Sequence, residues 1–400
     1  MEKKDSNLKH KKQNHDWIYE KNGFSMEPGE NKVWEYVMNT NKNQTEFYEK
    51  GFKLNHPKIT YTPLNIIGEN VRVSIEVPHD LELISAKAIF KQNNRISSID
   101  ISVDEGQKDG WKNIIFKPVT EGEHKVVFTF SNGTEDFVIL NVMDKIDQVV
   151  EERVTYICSE LYTGEKGNPP YAFQPISNQG ESLGKANLVL KKNLMGKLDV
   201  NQVRKVEKCA VNYVRPKWFE DGDFHKPVKL YGDFYRCMDF EYIGHLFYLL
   251  SEFDDEVLEL HSADTYLEWA ASVFELRVNP DLHYSQRGKE ESQMLGVYFL
   301  YIKDLLSKLK AKNMTQEYLK ISLLWEKIIE RIDAESDTYK AAITEHYYDN
   351  AGFGPTAGAL AESSREENTR KYGKLLLANI GYSNDFRAQN PDRWWEALTY

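Results

Sequence analysis

Between residues 56 and 142 apolar and polar positions alternate in short runs. Val71-Arg72-Val73-Ser74-Ile75-Glu76-Val77 sets an apolar side chain at every second position, the period at which a pleated strand turns its residues to opposite faces. Residues 86–90, 99–103, 113–116, 125–130 and 137–142 continue the series. Ser131-Asn132-Gly133-Thr134 between the last two predicts a hairpin, with Asn-Gly supplying the positive φ angles of a type I′ turn. Short strands with no long helix between them predict an immunoglobulin-like β-sandwich. Residues 1–55 are polar, broken by spots such as Trp34-Glu35-Tyr36-Val37-Met38, and predict a disordered start followed by loosely structured, partly strand-like segments.

Near residue 143 the period changes. Ile146, Val149, Val150, Val154 and Ile157 recur at helical spacing over 143–162. A Gly/Pro/Asn-rich loop follows over 163–184, containing Asn178-Gln179-Gly180-Glu181-Ser182, and a loop of that length inside a helical region predicts functional use. Helices are predicted over 185–194, 200–214, 233–252, 256–277, 288–311, 315–345 with a break near Asp333, and 364–379. The last is capped by Ser363 or Ser364 and stops before Gly381. This succession predicts an α/α-hairpin array, and the absence of a fixed repeat favours a toroid over a solenoid. The fold class is therefore multidomain β plus α: a polar segment over 1–55, an immunoglobulin-like β-sandwich over 56–142, and an α/α toroid over 143–400. Roughly eight or nine helices are fewer than six complete hairpins require, so the toroid is predicted to be incomplete at its C-terminal end.

Composition narrows the function classes. The net charge of −11 argues against a nucleic-acid partner, which needs a clustered basic surface. Lys9-His10-Lys11-Lys12 lies in a polar tail. No apolar leader opens the chain and no run approaches the ~18 apolar residues that span a bilayer, which predicts a cytoplasmic protein with no membrane partner, or an extracellular one if the chain is a piece of a longer exported protein. Cys158, Cys209 and Cys237 fall in predicted helices at no ligand-like spacing and read as small core residues. No cofactor pattern is present. Aromatic residues make up 12% of the chain, enough to furnish both a helical core and a glycan cleft.

Candidate chemistry gathers in three clusters. The first, Glu345-His346-Tyr347-Tyr348-Asp349-Asn350 running into Gly352-Phe353-Gly354, sets acids and amides beside rings and glycines and predicts a sugar-binding loop. The second is Asp392-Arg393-Trp394-Trp395-Glu396, with two indoles as a sugar platform. The third is 231–242, where Asp239 and Glu241 enter an apolar stretch and must be paired or face a cleft; Asp239 with Arg236 could also be an intrahelical ion pair. Asp349, Glu396, Asp239 and Glu241 are the candidate catalytic carboxyls. Tyr348, Asn350, Glu345, His346, Trp394, Trp395, Arg393, Asp392 and Glu181 are candidate substrate contacts, with His283-Tyr284-Ser285-Gln286-Arg287 as a further contact run. Glu345, His346 and Asp349 match no metal-binding spacing, so no metal is predicted.

Over 345–356, 372–381 and 390–396 the chain resembles a bacterial and fungal family of large proteins carrying a domain of unknown function, related to the six-hairpin glycosidases. The resemblance runs from about residue 50 to 400. It implies a toroid of six α/α hairpins preceded by β-sandwich modules and a carbohydrate-processing role. No catalytic residue is carried over from it.

The predicted function is thus a carbohydrate-active protein with a carbohydrate substrate, a glycoside hydrolase-like enzyme using a carboxylate acid/base pair. One alternative is a polysaccharide lyase on the same scaffold, with Tyr348 or His346 as base and Asn350 or Arg393 neutralising a uronate carboxylate. The other is a non-catalytic carbohydrate-binding or remnant module.

Overall fold

The computed structural model describes residues 25–36, 38–93, 95–105, 110–175, 181–294, 296, 299–338 and 350–383, with the backbone alone at 44, 105, 181, 350–353 and 377–383. The described residues form two compact units that divide between Ile146 and Asp147.

The first unit opens with helix α1, Gln44–Lys53, where the sequence pattern suggested strand-like segments. Its start is fixed locally: the Asn43 side chain accepts the Glu46 N–H at 2.9 Å, and Glu46 pairs with Lys50 one turn on at 3.0 Å. Nine strands follow: β1 Lys58–Tyr61, β2 Leu64–Ile66, β3 Val71–Glu76, β4 Leu83–Gln92, β5 Arg95–Ile101, β6 Val103–Glu105, β7 Trp111–Phe116, β8 Gly122–Phe130 and β9 Glu135–Met143. They form a four-stranded sheet in the order β1-β3-β7-β6 and a five-stranded sheet in the order β2-β9-β8-β4-β5. The pairings are antiparallel except β2 with β9.

Alternation becomes burial. Val71, Val73 and Ile75 of one sheet and Ala86, Ala88, Val126, Phe128, Val138 and Leu140 of the other meet in one core. The hairpin between β8 and β9 departs from a type I′ turn. Gly133 has φ +80° while Asn132 stays at negative φ, and the Asn132 side chain instead accepts the Thr134 N–H at 3.0 Å. The asparagine serves as a side-chain acceptor that closes the turn, so one left-handed residue suffices.

His124, 0% exposed, is stacked on Phe90 at 4.9 Å and donates from Nδ1 to the Gly122 carbonyl at 3.1 Å. Burial pushes its pKa below the ordinary value, against the opposing pull of that carbonyl.

In the second unit α2, Ile146–Tyr156, passes into a π-helical turn, Ile157–Leu161. After the loop come α3 Gly184–Met195 and α4 Val200–Cys209, and α4 runs through a second π-helical segment, Ala210–Val214, into the short α5, Arg215–Trp218. Then follow α6 Asp239–Ser251, α7 Ala263–Val278, α8 Gln286–Gln293, α9 Phe299–Ala311, α10 Thr315–Glu335, α11 Asn350–Glu362 and α12 Glu366–Ser383. No helix among the described residues is long and apolar enough to cross a membrane.

Local chemistry moves several predicted boundaries. The helix expected from 233 begins at Asp239, because Gly232 at φ +83° and a Tyr231 N–H to Phe234 carbonyl bond of 3.1 Å make a turn there. The helix expected from 256 begins after Ser262, whose hydroxyl caps α7, and the one expected over 288–311 is two helices, α8 and α9. The loop before α7 is held from below: the buried Glu207 carboxylate accepts the N–H groups of Glu259 at 2.7 Å and Leu260 at 2.9 Å and the Tyr266 hydroxyl at 2.7 Å.

The glycine-bearing stretch from Asn350 also departs from the loop that was predicted, since it is the first half of α11. Pro355, Thr356, Ala359 and Leu360 are buried, and Gly358 lies against the Phe299 ring of α9. Packing of that face outweighs the weak helix propensity of glycine and proline.

α6 is the hub. It is buried along nearly all of its length and packs on α3, α7 and α9. Gly244 allows the approach of α9, for a Cβ there would fall inside van der Waals contact of the Tyr301 hydroxyl.

Two outcomes follow. Gly244→Ala gains at most ~1 kcal/mol of helix propensity but overpacks α6 against α9, so a net loss of about 1–2 kcal/mol is expected in a denaturant titration. For His124 the folded pKa lies below the unfolded one, so the unfolded chain binds the extra proton first and stability is lost as pH falls through 6.5. His124→Phe should flatten that part of the stability curve relative to the wild type.

Candidate functional site

The segment from Tyr231 to Glu241 brings together the titratable groups of the helical unit. Asp239, 1% exposed at the first turn of α6, accepts the Trp218 indole N–H at 3.1 Å and the Tyr231 hydroxyl at 3.1 Å. Beside it the half-buried Lys217 donates to the Tyr213 hydroxyl at 2.7 Å and lies over the Trp218 ring at 5.0 Å. Loss of hydration lowers the Lys217 pKa, and the Asp239 charge works in the opposite direction.

Glu241 looks elsewhere. Arg277 of α7 donates to it from Nε at 2.7 Å and Nη2 at 2.5 Å, with the Arg277 side chain fully buried. The same guanidinium reaches the carbonyls of Glu291 and Ser292 at 3.3 Å and of Met294 at 2.9 Å, binding the end of α8 to α6 and α7. The Glu241 carboxylate also rests against Gly296, where any Cβ would collide with it. Asp239 and Glu241 are two positions apart on one helix, a spacing that points side chains away from each other, and their partners lie in different elements. They are not a facing pair.

Tyr235 and His283 form the second focus. His283 is 2% exposed, and its Nε2 lies 2.7 Å from the Leu276 carbonyl, which can only accept, so Nε2 carries the proton. Nδ1 is then the acceptor for the Tyr235 hydroxyl at 2.9 Å. Burial lowers the His283 pKa, opposed by the Leu276 carbonyl, and the ring is neutral at neutral pH. Burial pushes the half-buried Tyr235 up to about 12, with the Glu291 charge acting in the same direction. The pair is an uncharged donor and acceptor, open to solvent on the tyrosine side.

Cys237 is structural: burial pushes its thiol up to about 12, and Sγ donates to the Gly288 carbonyl at 3.4 Å. Its backbone N–H donates to Glu291 at 2.9 Å, and the other Glu291 oxygen takes the Arg287 Nε–H at 2.6 Å. The Arg287 guanidinium lies over the Phe234 ring at 3.6 Å, and Phe234 stacks on Tyr231 at 5.6 Å.

Of the residues singled out in the sequence, Asp239, Glu241, His283 and Arg287 fall in this neighbourhood. Glu345, His346, Tyr348, Asp349, Asp392, Arg393, Trp394, Trp395 and Glu396 lie outside the described residues, and Asn350 and Glu181 are described by backbone only, at the starts of α11 and of a short 3-10 turn. Among the described residues no group of three or more His, Cys, Asp or Glu could hold a metal ion. Sequence reasoning placed Tyr235 inside the 231–242 cluster without giving it a role, and did not find Trp218 or Arg277. Each is one aromatic or basic residue among many, and pairing across about 21 to 48 positions leaves no local signal.

The buried ion pair makes a direct prediction. Glu241→Ala strands a buried guanidinium and should cost about 3–5 kcal/mol of unfolding free energy, whereas the double replacement Glu241→Leu with Arg277→Met should recover most of it. Chemical denaturation of the variants checks this.

No family model matches the chain, and no curated protein sequence matches it. Among solved structures, a polysaccharide lyase is similar with a TM-score of 0.66 at 14% identity, over 86% of this chain and 50% of that one. A superoxide reductase from Ignicoccus hospitalis matches over 22% of this chain at 10% identity with a TM-score of 0.17, a level that carries no argument. The chain therefore shares its fold with the lyase and spans half of that protein's length.

Proposed function

We propose that this chain is the processing part of a carbohydrate-active enzyme, with an immunoglobulin-like sandwich and a helical toroid, and that its reaction is β-elimination on a polysaccharide containing uronic acid. The observation that carries the reading is the Tyr235 hydroxyl donating to the neutral His283 Nδ1 at 2.9 Å. Similarity to a polysaccharide lyase fold is consistent with it.

Elimination needs a group that removes the proton beside the uronate carboxylate, at C5 of the sugar. The Tyr235 oxygen takes that proton as its own moves to Nδ1 of His283. The C5–H electron pair becomes the C4–C5 double bond, the C4–O bond breaks, and the departing oxygen collects a proton from Tyr235, which recovers its own from His283. Glu291 is among the charges that favour the transient imidazolium. Lys217 and Arg236 supply positive charge for the substrate carboxylate, whose neutralisation acidifies the C5 proton.

The hydrolase reading asks for two carboxyls facing one another roughly 5–10 Å apart. Asp239 and Glu241 do not face each other, and Glu241 is held by Arg277. Asp349 and Glu396 remain that reading's candidates.

Incubation with acidic polysaccharides distinguishes the reactions. Elimination yields unsaturated products that absorb in the ultraviolet, with kcat falling about 10²–10⁴-fold in Tyr235→Phe. Turnover should hold through neutral pH and decline only in acid, below the ordinary histidine range, where His283 binds the proton it must accept. New reducing ends without ultraviolet absorbance would overturn the proposal in favour of hydrolysis.

A further inference from the structure

The strip beside Tyr235 has a feature that proton transfer does not use. Arg287 is held from two sides: its Nε is fixed by Glu291 at 2.6 Å, and its guanidinium carbon lies 3.6 Å from the centre of the Phe234 ring. Glu291 is itself anchored by the Cys237 N–H at 2.9 Å, and Phe234 is backed by Tyr231 at 5.6 Å. The Arg287 side chain is nevertheless 51% exposed, and neither of its η nitrogens has a partner among the described residues. An arginine serving only as a surface ion pair would keep its rotamer freedom; this one has given it up while leaving its fork free.

Its neighbours suit a sugar chain. Tyr284, three residues earlier, is 96% exposed, and Tyr231, Phe234 and Tyr235 line the same turn with partly exposed rings. Arg236 adds a second guanidinium, over the Tyr231 ring at 5.5 Å. Rings offer faces to pyranose C–H groups, and a preset planar fork matches two oxygens of one anionic group.

We infer that Arg287 is a specificity-determining residue that takes an anionic substituent of the polysaccharide, carboxylate or sulfate, on a sugar next to the one that reacts at Tyr235. The inference rests on the site being a polysaccharide site, but it is read by binding alone, so failure of the elimination chemistry leaves it standing. Glu291 neutralises part of the arginine's charge and thereby selects geometry over bulk attraction. An anion presented on the fork need not displace Glu291, because Glu291 is held by Nε and no described residue holds the η nitrogens.

The test is affinity electrophoresis of the full chain through gels containing polygalacturonate, unsulfated chondroitin, chondroitin sulfate, or dextran as the neutral control. The wild type is expected to be retarded by at least one acidic polymer and not by dextran. Arg287→Gln should lose about tenfold in affinity and Phe234→Ala, which frees the guanidinium, about threefold. Arg287→Lys keeps Glu291 paired but lacks the fork, so it should also lose affinity, and it separates recognition from any effect of Arg287→Gln on folding. Loss confined to chondroitin sulfate identifies a sulfate as the anion, and equal loss on both chondroitins identifies the carboxylate. Wild-type affinity of Arg287→Gln and Arg287→Lys for every polymer, or no retardation of the wild type by any acidic polymer, overturns the inference.

Discussion

A buried ion pair governs the helical unit. Removing two charges from water costs several kcal/mol per ion, and a carboxylate and guanidinium offset that only when geometry and further hydrogen bonds are good. Glu241 and Arg277 meet the condition through two donated bonds and three backbone carbonyls, at the point where α6, α7 and the end of α8 converge. The cost of leaving either charge alone makes this arrangement nearly obligatory. Gly296 follows from it, since the carboxylate occupies the space that a side chain would need.

The pair also sets the position of α8, and α8 carries the consequences. Its carboxylate Glu291 receives the Cys237 N–H and the Arg287 guanidinium, so the turn before α6 and the cationic strip are held by one residue. His283, just before α8, is oriented by the Leu276 carbonyl at the end of α7, which leaves Nδ1 for Tyr235. A structural brace and the Tyr235–His283 hydrogen bond are thus neighbours in one network. Asp239 and Glu241, the described carboxylates that look most catalytic in the sequence, are each tied to partners in different elements, and the proposed proton transfer falls to two groups that are neutral at pH 7.

Aromatic abundance divides along the same line. Phe240, Phe247, Tyr266 and Phe274 are fully buried and fill the helical core, whereas Tyr231, Phe234 and Tyr235 keep part of their rings in solvent. Composition cannot separate these uses, because a ring buries well and stacks on sugars for the same reason, its large apolar face. Tyr231, Phe234 and Tyr235 all lie at the Gly232 turn, ahead of α6.

Periodicity by itself determined the class of the sandwich strands and of the helices that follow them: alternation at Val71, Val73 and Ile75 could only be a half-buried strand, and the change near Ile146 could only begin helices. These signals are local, carried by residues within a few positions of one another. Polarity also marked Asp239 and Glu241 as groups needing partners, and the run from His283 to Arg287 as noteworthy. Tertiary structure alone decided who the partners are. Arg277 is 36 positions from Glu241, and His283 is 48 from Tyr235. It likewise turned the glycine-bearing stretch from Asn350 into a helix, because burying Pro355, Thr356 and Leu360 outweighs propensity. Local spacing records which face of an element is apolar; it holds no record of which distant face will cover it.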